Sequence, residues 1–253
     1  MYWLAPLAMV YLYANGSQTK KNECEGIDRA DKMRGLYENK IRFFCGPEKI
    51  FEIFASKRND QGKLVMTYSD FYKAVTPYNY APAQNVEEYF KRFKPITMNI
   101  IDADSSGCLT FTEFFFFILI MQIPVNTMRK QFAKYPDKLM DADQFSKTLR
   151  KLRRNTTTGG KQVNTVKFDG RTISATEEEF LETNKQLVEK IFLEKAGKSG
   201  HGHANKICFD DFLALRKEFK MDLIQYDFFT YDTDENDTIS IEDFLKSTII
   251  VVQ

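Results

Sequence analysis

The chain has 253 residues, with 36 Lys and Arg against 35 Asp and Glu, for a net charge of +1. That length allows one large or two small domains with a substantial core, and so balanced a charge supplies no field to draw the protein to nucleic acid. The four cysteines, Cys24, Cys45, Cys108 and Cys208, show no C-x-x-C spacing, which leaves a zinc site without support.

Residues 1–14, MYWLAPLAMVYLYA, are apolar throughout. They fall short of the roughly 17–25 residues that a spanning helix needs. They also lack a basic leader, since the first basic residues are Lys20 and Lys21. A cleaved targeting segment, a short membrane anchor and a tail docked on a partner all fit this pattern, and the reading adopted is an anchored or docked segment. Asn15 to Arg34 is polar and charged and reads as a linker, so residues 1–35 form an anchor with its tether.

From residue 36 onward one tail signature returns: an apolar residue, then Thr or a similar residue, two more residues, an acid, and Phe. It occurs at Met66–Phe71, Leu109–Phe114, Ile207–Phe212 and Ile239–Phe244, and more loosely at Met140–Phe145. Apolar residues at helical spacing precede these tails, as in Ile50, Phe51, Ile53 and Phe54 or Val188, Ile191 and Phe192. The expected fold is mainly α, an array of about five helix–loop–helix units, mostly degenerate. Residues 36–125 would hold the first pair and 126–253 the further units, with an insertion at about 153–178.

The second unit carries the full loop, Asp102-Ala-Asp-Ser-Ser-Gly-Cys-Leu-Thr-Phe-Thr-Glu113. Asp102, Asp104 and Ser106 offer hard oxygens at alternate residues, and Gly107 takes the sharp turn at the sixth place. Cys108 would ligate through its backbone carbonyl, Thr110 directly or through a water, and Glu113 through both carboxylate oxygens. This is the EF-hand pattern, and calcium is its expected ion. Only Asp102, Asp104 and Glu113 bring charge to it.

The other loops are poorer. The first has Asn59, Gln61 and Lys63 in place of acids, and the third holds Pro136 and Lys138. The fourth, Gly200-His-Gly-His-Ala-Asn205, has no carboxylate in its first half, and two histidines two residues apart in a glycine-rich turn argue for a solvated loop rather than a metal. The fifth runs Asp232 to Asp243, with Asp232, Asp234, Asn236, Ser240 and Asp243 at ligand places and Thr238 supplying its carbonyl. Asp237 stands where glycine is usual and Asp243 where glutamate is usual. The shorter closing acid predicts weak calcium binding or magnesium. In the insertion, TTTGGK lacks the spacing of a phosphate loop, and Phe168–Thr172 suggests a small hairpin.

The stretch Phe114-Phe-Phe-Phe-Ile-Leu-Ile-Met121 is hydrophobic on every face. Such a helix is enclosed on all sides or lies at an interface; core burial is the plainer account, and a partner surface is the alternative.

Tyr37-Glu-Asn-Lys-Ile-Arg42, Pro47-Glu-Lys-Ile-Phe51, Met66-Thr-Tyr-Ser-Asp-Phe71 and Val75-Thr-Pro77 resemble the opening of the mitochondrial calcium uptake proteins, the EF-hand regulators of the calcium uniporter. The resemblance runs less closely on to the fifth loop. It implies a non-enzymatic protein of mitochondria, at the inner membrane on its intermembrane-space side. It also implies that the family's calcium sites fall in the unit aligned with Ala133 to Phe145 and in a last unit beyond Gln253. No ligand carries over to the former, so the ligands named above rest on local spacing alone, and the likeness is to the family's N-terminal part, truncated before its last hand.

Two readings of function follow. The first is a calcium-binding accessory subunit of a large inner-membrane assembly such as the respiratory chain, touching the membrane through residues 1–14. The alternative is a calcium-sensing regulator of the uniporter. The first is favoured because five units leave one unpaired, which asks for pairing with another chain, and because residues 1–14 and 114–121 offer further apolar surface. No Ser/His/Asp or Cys/His arrangement suggests an enzyme.

Overall fold

The structure is a computed structural model and describes residues 28–78, 86–135, 137–155, 177–195, 205–232 and 235–241. The apolar residues 1–14, the hairpin expected near 168–172, the His201 and His203 loop, and Asp234 and Asp243 lie outside them.

The described chain is mainly α-helical. In order it forms α1 (Arg29–Phe44), α2 (Pro47–Phe54), β1 (Lys57–Arg58), β2 (Leu64–Thr67), α3 (Tyr68–Val75), α4 (Val86–Phe93) and α5 (Ile96–Ile101). Then follow β3 (Cys108–Leu109), α6 (Phe111–Gln122), α7 (Val125–Phe132), β4 (Leu139–Met140), α8 (Ala142–Asn155), α9 (Glu177–Lys195), β5 (Ile207–Cys208) and α10 (Phe209–Tyr231). Two compact units emerge, neither continuous in sequence. Among the described residues, one comprises 28–45, 72–78, 86–94 and those from 223 to 241, the other 46–71 and those from 95 to 222.

The first unit contains α1, α4 and the end of α10. Helix α1 begins at Arg29, so the last residues of the expected linker are helical. Asp31 in its first turn and Arg42 in its last complement the helix dipole, and neither glycine nor proline interrupts residues 29–34. The motif that carries the family likeness has a structural role here. Arg42 pairs with Glu38 at 2.8 Å and donates to Asn39 Oδ1 and to the Lys73 carbonyl at 2.9 Å. Asn39 Oδ1 also accepts the Tyr78 N–H at 3.0 Å, so the motif piece 37–42 is tied to residues on either side of the piece 75–77. Tyr72, Tyr89, Tyr226 and Phe229 form the aromatic core, with Tyr72 stacked on Tyr226 at 4.1 Å between centroids.

The second unit is built on two antiparallel bridges. Met66 pairs with Leu109 and Thr67 with Cys108, joining the first and second loops. Leu139 pairs with Cys208 and Met140 with Ile207, joining the third and fourth. Each bridge links the apolar eighth places of two loops. The first loop is a hairpin: Lys57 and Arg58 pair with Val65 and Leu64, and Asn59 Oδ1 accepts the N–H groups of Gln61 and Lys63. Its closing acid, Asp70, accepts from Ser56 N, Ser56 Oγ and Thr67 N, fastening the hairpin's ends rather than reaching a cation.

Helix α6 lies at the centre of this unit. Phe114, Phe115, Phe116, Phe117, Leu119, Ile120 and Met121 are all buried, packed by α2, α5 and α9. The alternative of a partner surface at residues 114–121 is therefore corrected: the unit's own helices enclose this stretch, with only Ile118 partly exposed. No single helix among the described residues is long and apolar enough to cross a membrane.

No loop separates the fourth unit from the fifth: Lys220 and Met221 lie inside α10, which runs unbroken for 23 residues. Arg216 to Leu223 contains no glycine or proline to break it, so one helix leaves the fourth loop and enters the fifth.

Candidate metal centre

Asp102 to Glu113 links α5 to α6 within the second unit. Asp222, from α10, fixes the start of α5 by accepting Thr97 N at 2.7 Å and Thr97 Oγ1 at 2.6 Å. At the other end Thr110 and Glu113 form a capping box, with Glu113 Oε2 accepting Thr110 N at 2.7 Å. The loop's two ends are thus set by helix termini, and the residues between have to wind round its centre.

The winding is a ladder of backbone donors to carboxylates. Asp102 Oδ1 accepts Ser106 N at 3.1 Å, and Asp102 Oδ2 accepts Gly107 N at 3.0 Å. Asp104 Oδ1 also accepts Ser106 N, and Ser106 Oγ donates to the Cys108 carbonyl at 2.9 Å. Gly107 at φ +78 makes the turn, and with no Cβ it carries no penalty in that region. Glu113 reaches back across the loop, its Oε1 accepting Ala103 N at 2.7 Å.

As a result carboxylate oxygens of Asp102, Asp104 and Glu113 lie within 4.8 Å of one another. Asp102 and Glu113 are each 2 % exposed, whereas Asp104 faces solvent. Hard oxygens gathered at this spacing suit calcium, which takes six to eight oxygen ligands at about 2.3–2.6 Å. The serine hydroxyl, the Cys108 carbonyl and Thr110 stand in the same loop, so the donor set fits the ion.

The electrostatics record the crowding. Burial pushes the Glu113 carboxyl up to about 7, against opposing hydrogen bonds from Thr110 and Ala103. Burial acts the same way on Asp104, but hydrogen bonds from Ser106 outweigh it and hold that carboxyl below its usual value. Glu113 must shed its proton before it can ligate. Calcium affinity is therefore expected to fall roughly tenfold from pH 8 to pH 6, with proton release on binding. Calorimetry in buffers of different ionisation enthalpy would detect that release, and an affinity flat across this range would contradict it.

Two side chains at this loop escaped the sequence reading. Tyr68 donates its hydroxyl to Asp102 Oδ2 at 2.6 Å. Burial and that bond raise the phenol well above its ordinary value, so it stays a donor. Lys190, from α9, donates to the Asp102 carbonyl and lies 3.3 Å from Ser105 Oγ. The antiparallel register could have revealed Tyr68, because pairing Met66 with Leu109 sets Tyr68 opposite Gly107. Nothing in the local spacing points to Lys190.

Of the fifth loop, Asp232, Asn236, Thr238 and Ser240 are described. Asp232 is fully buried, and its Oδ1 accepts Asn236 N at 3.0 Å while Oδ2 accepts Asp237 N at 3.2 Å. Asn236 Oδ1 accepts the Thr238 N–H at 2.8 Å. Asp237 adopts φ +59 in the glycine's place. Ile239, at the eighth place, belongs to no strand among the described residues.

No protein-family model matches the chain. It is 27% identical over 228 residues to the protein "Calcium uptake protein, mitochondrial" of Arabidopsis thaliana, a match covering 84% of this chain and 43% of that protein. It is 26% identical over 163 residues to "Calcium uptake protein 1, mitochondrial" of Mus musculus, covering 56% and 34%, and 27% identical over 163 residues to its Rattus norvegicus counterpart. The matches span less than half the length of each of these relatives. By sequence, the chain is a divergent relative of the mitochondrial calcium uptake proteins.

Proposed function

We propose that this protein is a calcium-binding regulator of mitochondrial calcium uptake, acting through binding rather than catalysis, with Asp102 to Glu113 as its sensing loop. The observation that carries the reading is the convergence of the Asp102, Asp104 and Glu113 carboxylates within 4.8 Å, in a chain whose relatives are mitochondrial calcium uptake proteins. These relatives favour the regulator over an accessory subunit of the respiratory chain. Enclosure of α6 within its own unit removes one of the arguments for the accessory role. The site of action is the intermembrane-space face of the inner membrane, and the partners are membrane proteins that carry calcium.

With three carboxylates on the ion, the expected dissociation constant is on the order of 10⁻⁶ to 10⁻⁴ M. Glu113→Gln removes a charge and the reach across the loop, and should weaken calcium at least tenfold in calorimetry. Mitochondria carrying this variant should then take up calcium with an altered threshold. Equal calcium affinity in the parent and the variant would refute the loop as the sensor, and an unaltered threshold with affinity lost would refute the regulatory role.

A further inference from the structure

The two acidic loops wrap their first aspartate in the same way. In each, Oδ1 accepts the N–H of the fifth residue and Oδ2 accepts the N–H of the sixth. They differ in the third donor to Oδ2. At Asp102 it is the neutral hydroxyl of Tyr68. At Asp232 it is the guanidinium of Arg92, whose Nη2 lies 3.2 Å away and also pairs with Asp237 Oδ1.

We infer that Arg92 is the specificity-determining residue of the fifth loop: its guanidinium stands in for the divalent cation, and calcium or magnesium enters only when that side chain leaves. Three features of the first unit lead there. Asp232 has no solvent exposure at its side chain, so its charge requires a permanent partner, and Arg92 supplies one. Asp237 occupies a left-handed position where glycine would be unstrained, yet its carboxylate completes the other side of the Arg92 grip. That hydrogen bond also raises the arginine further above its ordinary value. Arg92 in turn lies over the Phe93 ring at 5.1 Å, on the last turn of α4, which holds the guanidinium at the loop. A divalent ion at Asp232 would sit beside a fixed guanidinium and be repelled by it. The substitution of Asp237 for glycine thus makes sense as an arginine partner, where it makes none as a metal ligand.

The inference is independent of the function proposed for the first loop, and the test keeps the two apart. In the full chain carrying Glu113→Gln, calcium titration should show no uptake by the fifth loop below about 10⁻³ M, the weak end of EF-hand affinities. Adding Arg92→Gln should produce uptake of one calcium at least tenfold tighter, and adding Asp232→Asn as well should abolish it. Lys91→Gln, which removes an exposed charge from the same helix, should leave the loop closed. Should Arg92→Gln fail to fold, Asp237→Gly loosens the grip while keeping Arg92, and should give a smaller gain in the same direction. Calcium uptake that is the same with and without Arg92, or an equal gain from Lys91→Gln, would overturn the inference, as would no gain from Asp237→Gly where that variant decides.

Discussion

Phe117→Ala is expected to cost about 3–5 kcal/mol of stability and to lower the melting temperature by roughly 10 °C. The ring is 2 % exposed and is held edge-on by Phe71 at 5.0 Å, with Phe219 at 5.4 Å on another side. These neighbours come from α3 and α10, separate parts of the second unit. Truncation would leave a cavity walled by aromatic rings, which relax little around a void. Chemical denaturation followed by circular dichroism would measure the loss. A change under about 1 kcal/mol would mean that α6 is not enclosed as described.

Arg216→Met is expected to cost about 2–4 kcal/mol, for a different reason. Helix α6 ends at Gln122, and the chain turns by 89° at Pro124 into α7. The last carbonyls of a helix have no partner within it, and proline brings no N–H. Arg216 fills the gap, donating Nη1 to the Ile123 carbonyl at 2.6 Å and Nη2 to the Met121 carbonyl at 2.9 Å. Burial lowers the guanidinium below its ordinary value. Methionine keeps most of the stem's packing but leaves both carbonyls dry. Lysine, with one compact charge in place of a fork, should recover only part of the loss. Equal stability of Arg216→Met and the parent would show that water reaches the turn.

The loop at 102–113 was legible because its ladder of backbone donors, its glycine turn and its capping box all lie within twelve consecutive residues. Alternating oxygens, the glycine turn and the capping glutamate are local demands, and local demands leave a fixed spacing. The tail signature was legible for the same reason: Met66, Leu109, Met140 and Ile207 each enter a strand at the expected place. The side chains that finish these loops are another matter. Tyr68 is 34 residues from Asp102, Lys190 is 88 residues from it, and Arg92 is 140 residues from Asp232. Such partners are chosen by packing of the whole unit, and no periodicity records them. Residues 114–121 illustrate the intermediate case. Composition required burial on every side, but only the fold could say that the covering helices belong to the same chain.

Enclosure of α6 also sets an order of events during synthesis. Its four consecutive phenylalanines leave the ribosome long before α9 and most of α10 exist, since those covers lie at residues 177–195 and 209–231. At about 5–20 residues per second, the wait is on the order of ten seconds. Throughout that interval the nascent chain displays the kind of apolar run that binds chaperones and aggregates when none is at hand. Assembly of the second unit is thus a late, nearly all-at-once event, closed by the segment that follows the insertion.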